Sequence, residues 1–312
     1  MAVSNNRRVH FSGIITPMVT PLNDDTTIDR DGLKRLVEHL IDGGIGGLFV
    51  LGTTGEAPSL SYELRREMIS LTCEFANERI PVLVGITDSS LEESLDLVKV
   101  GAEQGVAAVV AAPPFYFSLN QTELTSYYRK LADKSSLPVF VYNMPAHTKT
   151  MIEVDTVRAL SDHPNIIGIK DSSGNAPYFQ SILYHLKDNP DFSIFVGPDE
   201  MLATSILFGA DGGVNSGSNM FPELFTGLFK AAKSRDLEQV SVLQKNVMRI
   251  SLEIYSNGNS SFRYLKGIKK ALSFIGICKN ILASPLNSFD ENESEHIEKT
   301  VRDIRREILA LA

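Results

Sequence analysis

The sequence predicts a (β/α)8 TIM barrel with a C-terminal helical extension. Short runs rich in Val, Ile and Phe alternate with longer segments that carry charges at helical spacing, and the alternation repeats eight times. No glycine-rich dinucleotide turn follows the first run, which disfavours the rival open, doubly wound sheet.

The strand candidates cover residues 13–19, 47–52, 82–87, 107–112, 139–143, 166–170, 193–197 and 212–215. The first closes on Thr16-Pro17-Met18-Val19-Thr20-Pro21, with none of the GxGxxG spacing. Segment 29–42 opens on Asp29 and sets Leu33, Leu36, Val37 and Leu40 on one stripe, opposite Lys34, Arg35 and Glu38. Gly43-Gly44-Ile45-Gly46-Gly47 precedes a strand and reads as an αβ connection. Segment 90–104 places Leu91, Leu95, Val98 and Ala102 inward and stops at Gly105. Eight parallel strands leave no unpaired edge once the sheet closes, and the helices form an outer ring. Beyond about residue 235 the strand signal is lost, and helices are predicted over 237–251, 262–274 and 293–312. No linker separates them, so 1–234 are read as the barrel that carries the site and 235–312 as an extension of the same domain.

The 312 residues, 43% hydrophobic and 22% charged, can bury one large core. Thirty basic against thirty-eight acidic residues give a net charge of −8, which argues against nucleic-acid backbone binding. Cys73 and Cys278 lack CxxC spacing and point to a reducing, cytoplasmic setting. The polar start predicts no signal peptide, and the most apolar run, 106–114, is far shorter than the roughly 20 residues that cross a bilayer. Six histidines, at 10, 39, 147, 163, 185 and 296, show no ligand spacing, so neither a metal nor another cofactor is expected.

In such barrels the chemistry sits at the C-terminal strand ends. Lys170 closes the apolar run Ile166-Ile167-Gly168-Ile169. There burial would lower its pKa from ~10.4 and supply the neutral amine that attacks a ketone, or it would pair with Asp171 or Glu56. Thr53 and Thr54, between Gly52 and Gly55, offer either an anion nest or an ordinary capped turn braced by Glu56. Tyr142 and Tyr116 are either proton carriers or core residues with a satisfied hydroxyl. Arg263, Lys266, Lys269 and Lys270 read as a solvated helix face, and the glycines near 212 as tight backbone packing rather than a phosphate site.

Taken together, GTTGE at 52–56, PPFY at 113–116, YNxP at 142–145, GIKDSSG at 168–174 and VGPDE at 196–200 resemble the family of dihydrodipicolinate synthase and N-acetylneuraminate lyase. The resemblance implies that Lys170 forms a Schiff base with pyruvate and that Tyr142 shuttles protons. It implies that Thr53 and Thr54 bind the pyruvyl carboxylate and that Thr54 links Tyr142 to Tyr116. Tyr116 would reach into a neighbouring subunit, giving a homodimer or a homotetramer built as a dimer of dimers. Gly197 and Asn215 would line the pyruvate pocket.

Dihydrodipicolinate synthases carry an arginine shortly after the YNxP motif, where this sequence has Pro145-Ala146-His147-Thr148. His147 takes that place, and a histidine near pKa ~6.5 does not reproduce a fixed bidentate clamp for an aldehyde's carboxylate. Lys149, where relatives often carry glycine, reads as solvated. The leading expectation is therefore a class I aldolase joining pyruvate to an aldehyde or splitting the product, such as a 2-oxo-3-deoxy sugar acid aldolase or a sialic-acid-lyase-like enzyme. Dihydrodipicolinate synthase itself is the alternative, and a non-catalytic small-molecule sensor on the same barrel is the alternative of another class.

Overall fold

In a computed structural model, which describes residues 10–257, 262–289 and 291–311, eight parallel strands close into a barrel. They are β1 Gly13–Pro17, β2 Gly47–Val50, β3 Val82–Gly85, β4 Ala108–Ala111, β5 Val139–Asn143, β6 Ile166–Asp171, β7 Ser193–Val196 and β8 Gly212–Gly213. Each pairs with its neighbours in sequence, and β8 closes onto β1 through Gly13 opposite Gly212. The eight predicted strands are all present: six are shorter than expected, Val139–Asn143 has the expected bounds, and Ile166–Asp171 runs one residue further.

Alternation along the strands sorts two cores. Val139 and Val141 of β5 face the helices, whereas Phe140 and Tyr142 join Ile15, Phe49, Leu83, Val110 and Phe195 in the barrel lumen. The lumen floor is closed by Phe11, whose ring meets Phe140 edge-on at 5.5 Å and whose N–H donates to Ser193 Oγ. His10 holds this plug to the barrel through Asp211 at 2.9 Å.

The helix Arg30–Asp42 is capped by Asp29, which accepts from Gly32 N, and it buries Leu33, Leu36, Val37 and Leu40 as its spacing dictates. The helix Leu91–Glu103 differs from expectation. Its buried stripe is Ser94, Leu97, Val98 and Gly101; Leu91 and Leu95 are only partly covered and Ala102 is exposed. Gly101 on this face packs toward Val106 and Leu137.

Residues after 235 form the helices Leu237–Arg249, Arg263–Phe274 and Glu291–Leu311. The first continues as a π-helical stretch, Ile250–Tyr255, which its 3.6-residue periodicity did not reveal. The small hairpin Leu22–Asp24 with Thr27–Ile28 was likewise not read from sequence, its strands being too short to show a period. The last helix was expected to reach residue 312, which lies outside the described residues. Among the described residues no helix is long and apolar enough to cross a membrane.

Candidate active site

Strand register builds the centre of the site. Tyr142 of β5 and Lys170 of β6 are Cα partners across the ladder, as are Asn143 and Asp171 just beyond them. The inner pair faces the lumen, and Lys170 Nζ lies 4.1 Å from the Tyr142 ring centroid and 5.0 Å from that of Phe49. The second pair faces the helices and is locked: Asn143 Nδ2 donates to Asp171 Oδ1 at 2.8 Å. Ile152 N donates to Asn143 Oδ1, and Ser173 donates to both Asp171 oxygens.

Lys170 faces inward because β6 carries an irregularity. Val139 pairs with Ile166 but Phe140 pairs with Gly168, so one residue is inserted and the strand is re-phased. Gly168 is required there: a Cβ on it would fall 2.3 Å from the Phe140 ring and 2.4 Å from Ser193 O. The glycine of the GIK motif thus leaves room for the aromatic layer beneath the lysine.

Lys170 is 6% exposed and, among the described residues, has no carboxylate within salt-bridge distance. Asp171 is committed to Asn143 and Ser173, and Glu56 pairs with Lys269. Burial holds the Lys170 amine below its ordinary pKa, only partly offset by Tyr142 and Asp199. Neutral amine is therefore more abundant than on a free lysine.

Above Phe49 and Tyr142 opens a cavity of about 310 Å³. Its walls include Thr53, Thr87, Phe115, Met144, His147 and, from the C-terminal extension, Phe262, Leu265 and Leu286. Tyr142 OH and Thr53 Oγ1 lie 3.2 Å apart. His147 sits on the rim and stacks on Phe262, with centroids 6.0 Å apart and planes 8° apart. Partial burial, then the charge of Lys149, lowers its pKa, so it is neutral at pH 7. Lys149 is exposed, with its ammonium on Ala146 O.

The residues singled out in the sequence are not all gathered. Tyr142, Thr53 and His147 line one cavity, and Lys170 lies against the rings of Tyr142 and Phe49 that also line it. Thr54, expected to join Tyr142 to Tyr116, instead bonds Ser216 Oγ at 2.9 Å, and Thr53 is the threonine beside Tyr142. The turn Gly52–Gly55 directs successive side chains apart, which sequence adjacency conceals. Tyr116 is 77% exposed and lies outside its own chain's cavity, packed edge-on against Phe117. Gly197 and Asn215 bond each other, Asn215 Nδ2 donating to Gly197 O at 3.1 Å. The basic cluster also needs correction: Lys269 is 0% exposed and ion-paired with Glu56, because the helix Arg263–Phe274 lies on the barrel rim with that face inward.

Two residues were missed. Asp199, on the loop after β7, is buried and accepts from Tyr255 OH at 2.7 Å and from Gly217 N at 2.9 Å. Burial pushes its carboxyl up to about 7. Phe262 was missed because only the tertiary fold brings the extension over the barrel mouth.

The sequence profile described as the Dihydrodipicolinate synthetase family matches residues 10–304. The chain belongs to that family. It is accordingly a class I, Schiff-base-forming carbon–carbon lyase rather than a sensor. Within the family, the chain is 52% identical to the dihydrodipicolinate synthase of Bacteroides thetaiotaomicron, with a TM-score of 0.92 over 95% of this chain and 100% of that one. It is 27% identical to YagE of Escherichia coli K12, solved in complex with pyruvate, with a TM-score of 0.90 over 95% and 99% of the two chains. It is also 31% identical, over 77% of this chain and 80% of the other, to the probable 2-dehydro-3-deoxy-D-pentonate aldolase YjhH of Escherichia coli.

Proposed function

We propose that Lys170 condenses with pyruvate and that the resulting enamine is joined to, or released from, an uncharged hydroxyaldehyde. The reaction is that of a 2-oxo-3-deoxy sugar acid aldolase. The observation that carries the reading is the buried Lys170 amine, without a carboxylate partner and 4.1 Å from the Tyr142 ring, beneath a cavity whose rim residue His147 is neutral.

The neutral amine attacks the ketone carbon, and the carbinolamine must then lose its oxygen as water. In this reading the Tyr142 hydroxyl, with Thr53 Oγ1 at 3.2 Å as its hydrogen-bond partner, relays a proton from the carbinolamine nitrogen to the departing hydroxyl. In synthesis the iminium loses a proton from its methyl carbon, and the enamine so formed attacks the aldehyde carbon, whose oxygen takes up a proton. In cleavage the hydroxyl gives up its proton, becomes the aldehyde carbonyl, and the breaking carbon–carbon bond delivers its electrons to the iminium. Thr53 and the N–H groups of the turn serve the pyruvyl carboxylate, with Thr54, Gly197 and Asn215 supporting them. The aldehyde portion occupies the cavity. Among the described residues no lysine or arginine lines it, whereas Thr53, Ser59, Thr87 and Thr148 are among its lining residues, which suits a neutral polyol better than a second carboxylate.

Release of pyruvate from a panel of 2-oxo-3-deoxy sugar acids tests the substrate class. A second reading, condensation with aspartate semialdehyde, draws on the 52% identical relative named dihydrodipicolinate synthase. In it His147 would have to hold the carboxylate in protonated form, so turnover would increase as pH falls below about 6.5. Substantial turnover of the semialdehyde at pH 7 to 8 without release from sugar acids overturns the first reading.

The assembly proposed is a homodimer or dimer of dimers in the cytoplasm, with Tyr116 completing a partner's site. Phe115, Tyr116 and Phe117 support it, since three adjacent exposed aromatics form a surface costly to leave in water. Light scattering on the intact chain and on Tyr116→Ser tests this: a monomer in the unsubstituted chain overturns it.

A further inference from the structure

The turn after β2 is bracketed by two non-glycine residues in the left-handed region, Leu51 and Glu56, both at φ 58°. Such backbone persists only where its surroundings over-determine it. At Glu56 the surroundings include the C-terminal extension. Lys269 Nζ lies 2.7 Å from Glu56 Oε1, with both side chains fully buried, and Ala283 N donates to Glu56 Oε2 at 2.7 Å. The same ammonium donates to Thr20 O at 2.6 Å and to Ile281 O at 2.5 Å. Thr20 in turn donates through its hydroxyl to Gly55 O at 2.7 Å. The ammonium thus ties one short turn of the barrel to the extension through one ion pair and two hydrogen bonds to backbone carbonyls. A buried ion pair gains little stability over apolar packing, but breaking it leaves an uncompensated charge, so it enforces one local arrangement.

The helix that carries Lys269 also touches the rest of the site. It starts beside Phe262, which stacks on His147, and continues through Tyr264, which meets the Thr54 side chain, and Leu265, which lines the cavity.

We propose that the Glu56–Lys269 ion pair positions the Thr53–Thr54 turn for the carboxylate of the 2-oxo acid, making the C-terminal extension part of the pyruvate site. Both are positioning residues, since neither reaches the reacting carbonyl. The proposal rests on the Schiff-base reading of Lys170.

The test compares Glu56→Gln, Lys269→Met and the double variant, with Lys270→Met as control, because Lys270 lies on the same helix but pairs with Glu298 on its outer side. The measurement is the rate of borohydride-trapped pyruvate adduct against pyruvate concentration, beside thermal melting. The half-saturating pyruvate concentration is expected to rise about tenfold or more in all three, as when hydrogen bonds to a carboxylate are lost. The maximal trapping rate should stay within about threefold. The double variant, having no unpaired buried charge, should recover melting temperature but not pyruvate affinity. Unchanged half-saturation in Glu56→Gln and in the double variant, whatever their melting temperatures, overturns the proposal even if Lys269→Met does not fold. No adduct in the unsubstituted chain defeats the underlying Schiff-base reading instead.

Discussion

Tyr142 and Lys170 stand opposite each other in the β5–β6 ladder, and the lysine nitrogen lies 4.1 Å from the centre of the tyrosine ring. Backbone register, more than side-chain flexibility, sets this distance. Removing only the hydroxyl by Tyr142→Phe keeps the ring and should lower kcat by about 10²-fold or more, the scale of a lost proton carrier. A loss below about threefold in steady-state kinetics would show that the phenol is a core residue.

The inserted residue in β6 turns Lys170 inward, and Gly168 makes room for the Phe140 ring and the Ser193 carbonyl beside it. Gly168→Ala would drive a methyl group into Phe140 and should cost about 1–3 kcal/mol in urea unfolding, with activity falling alongside. Phe140→Leu in the same chain should restore part of both. Wild-type stability in Gly168→Ala alone would contradict the packing argument.

His147 supplies a neutral rim where a bidentate clamp would require a guanidinium. His147→Arg, with Phe262 as a stacking face, should raise kcat/KM for a carboxylate-bearing aldehyde by about tenfold or more at pH 7.5. A substrate preference that does not move would dissociate this residue from aldehyde choice.

Asp199 holds its proton more tightly in the fold, at about 7, than at its ordinary value of 3.8. Its contribution to stability is therefore complete below about pH 4 and is lost as pH rises through 7. Asn at this position still accepts from Tyr255 and Gly217 but does not titrate. Asp199→Asn should consequently narrow the difference between urea midpoints measured at pH 5 and pH 8. An unaltered difference would place the pH dependence elsewhere.

The barrel was legible because its signal is distributed: apolar runs such as 166–169 and the stripe Leu33, Leu36, Val37 and Leu40 need no tertiary knowledge. Lys170 drew notice because it ends an apolar strand, but its position alone left a neutral amine and an ion pair with Asp171 or Glu56 equally open, and only the resemblance implied a Schiff-base role. Lys269 was misread because an exposed and a buried lysine look the same in a string, and only the extension's docking on the rim separates them. That Thr53 and not Thr54 lies beside Tyr142 was hidden by the turn geometry, which splays neighbours in sequence. Asp199 and Phe262 depend on contacts between distant segments, as does the rotation of the helix Leu91–Glu103.

The central claim concerns one amine, and intact-mass measurement after borohydride treatment with pyruvate reads it directly. The account predicts a single stoichiometric reduced adduct that peptide mapping places on Lys170 and that is absent from Lys170→Met. No adduct, or an adduct that survives in Lys170→Met, would contradict it.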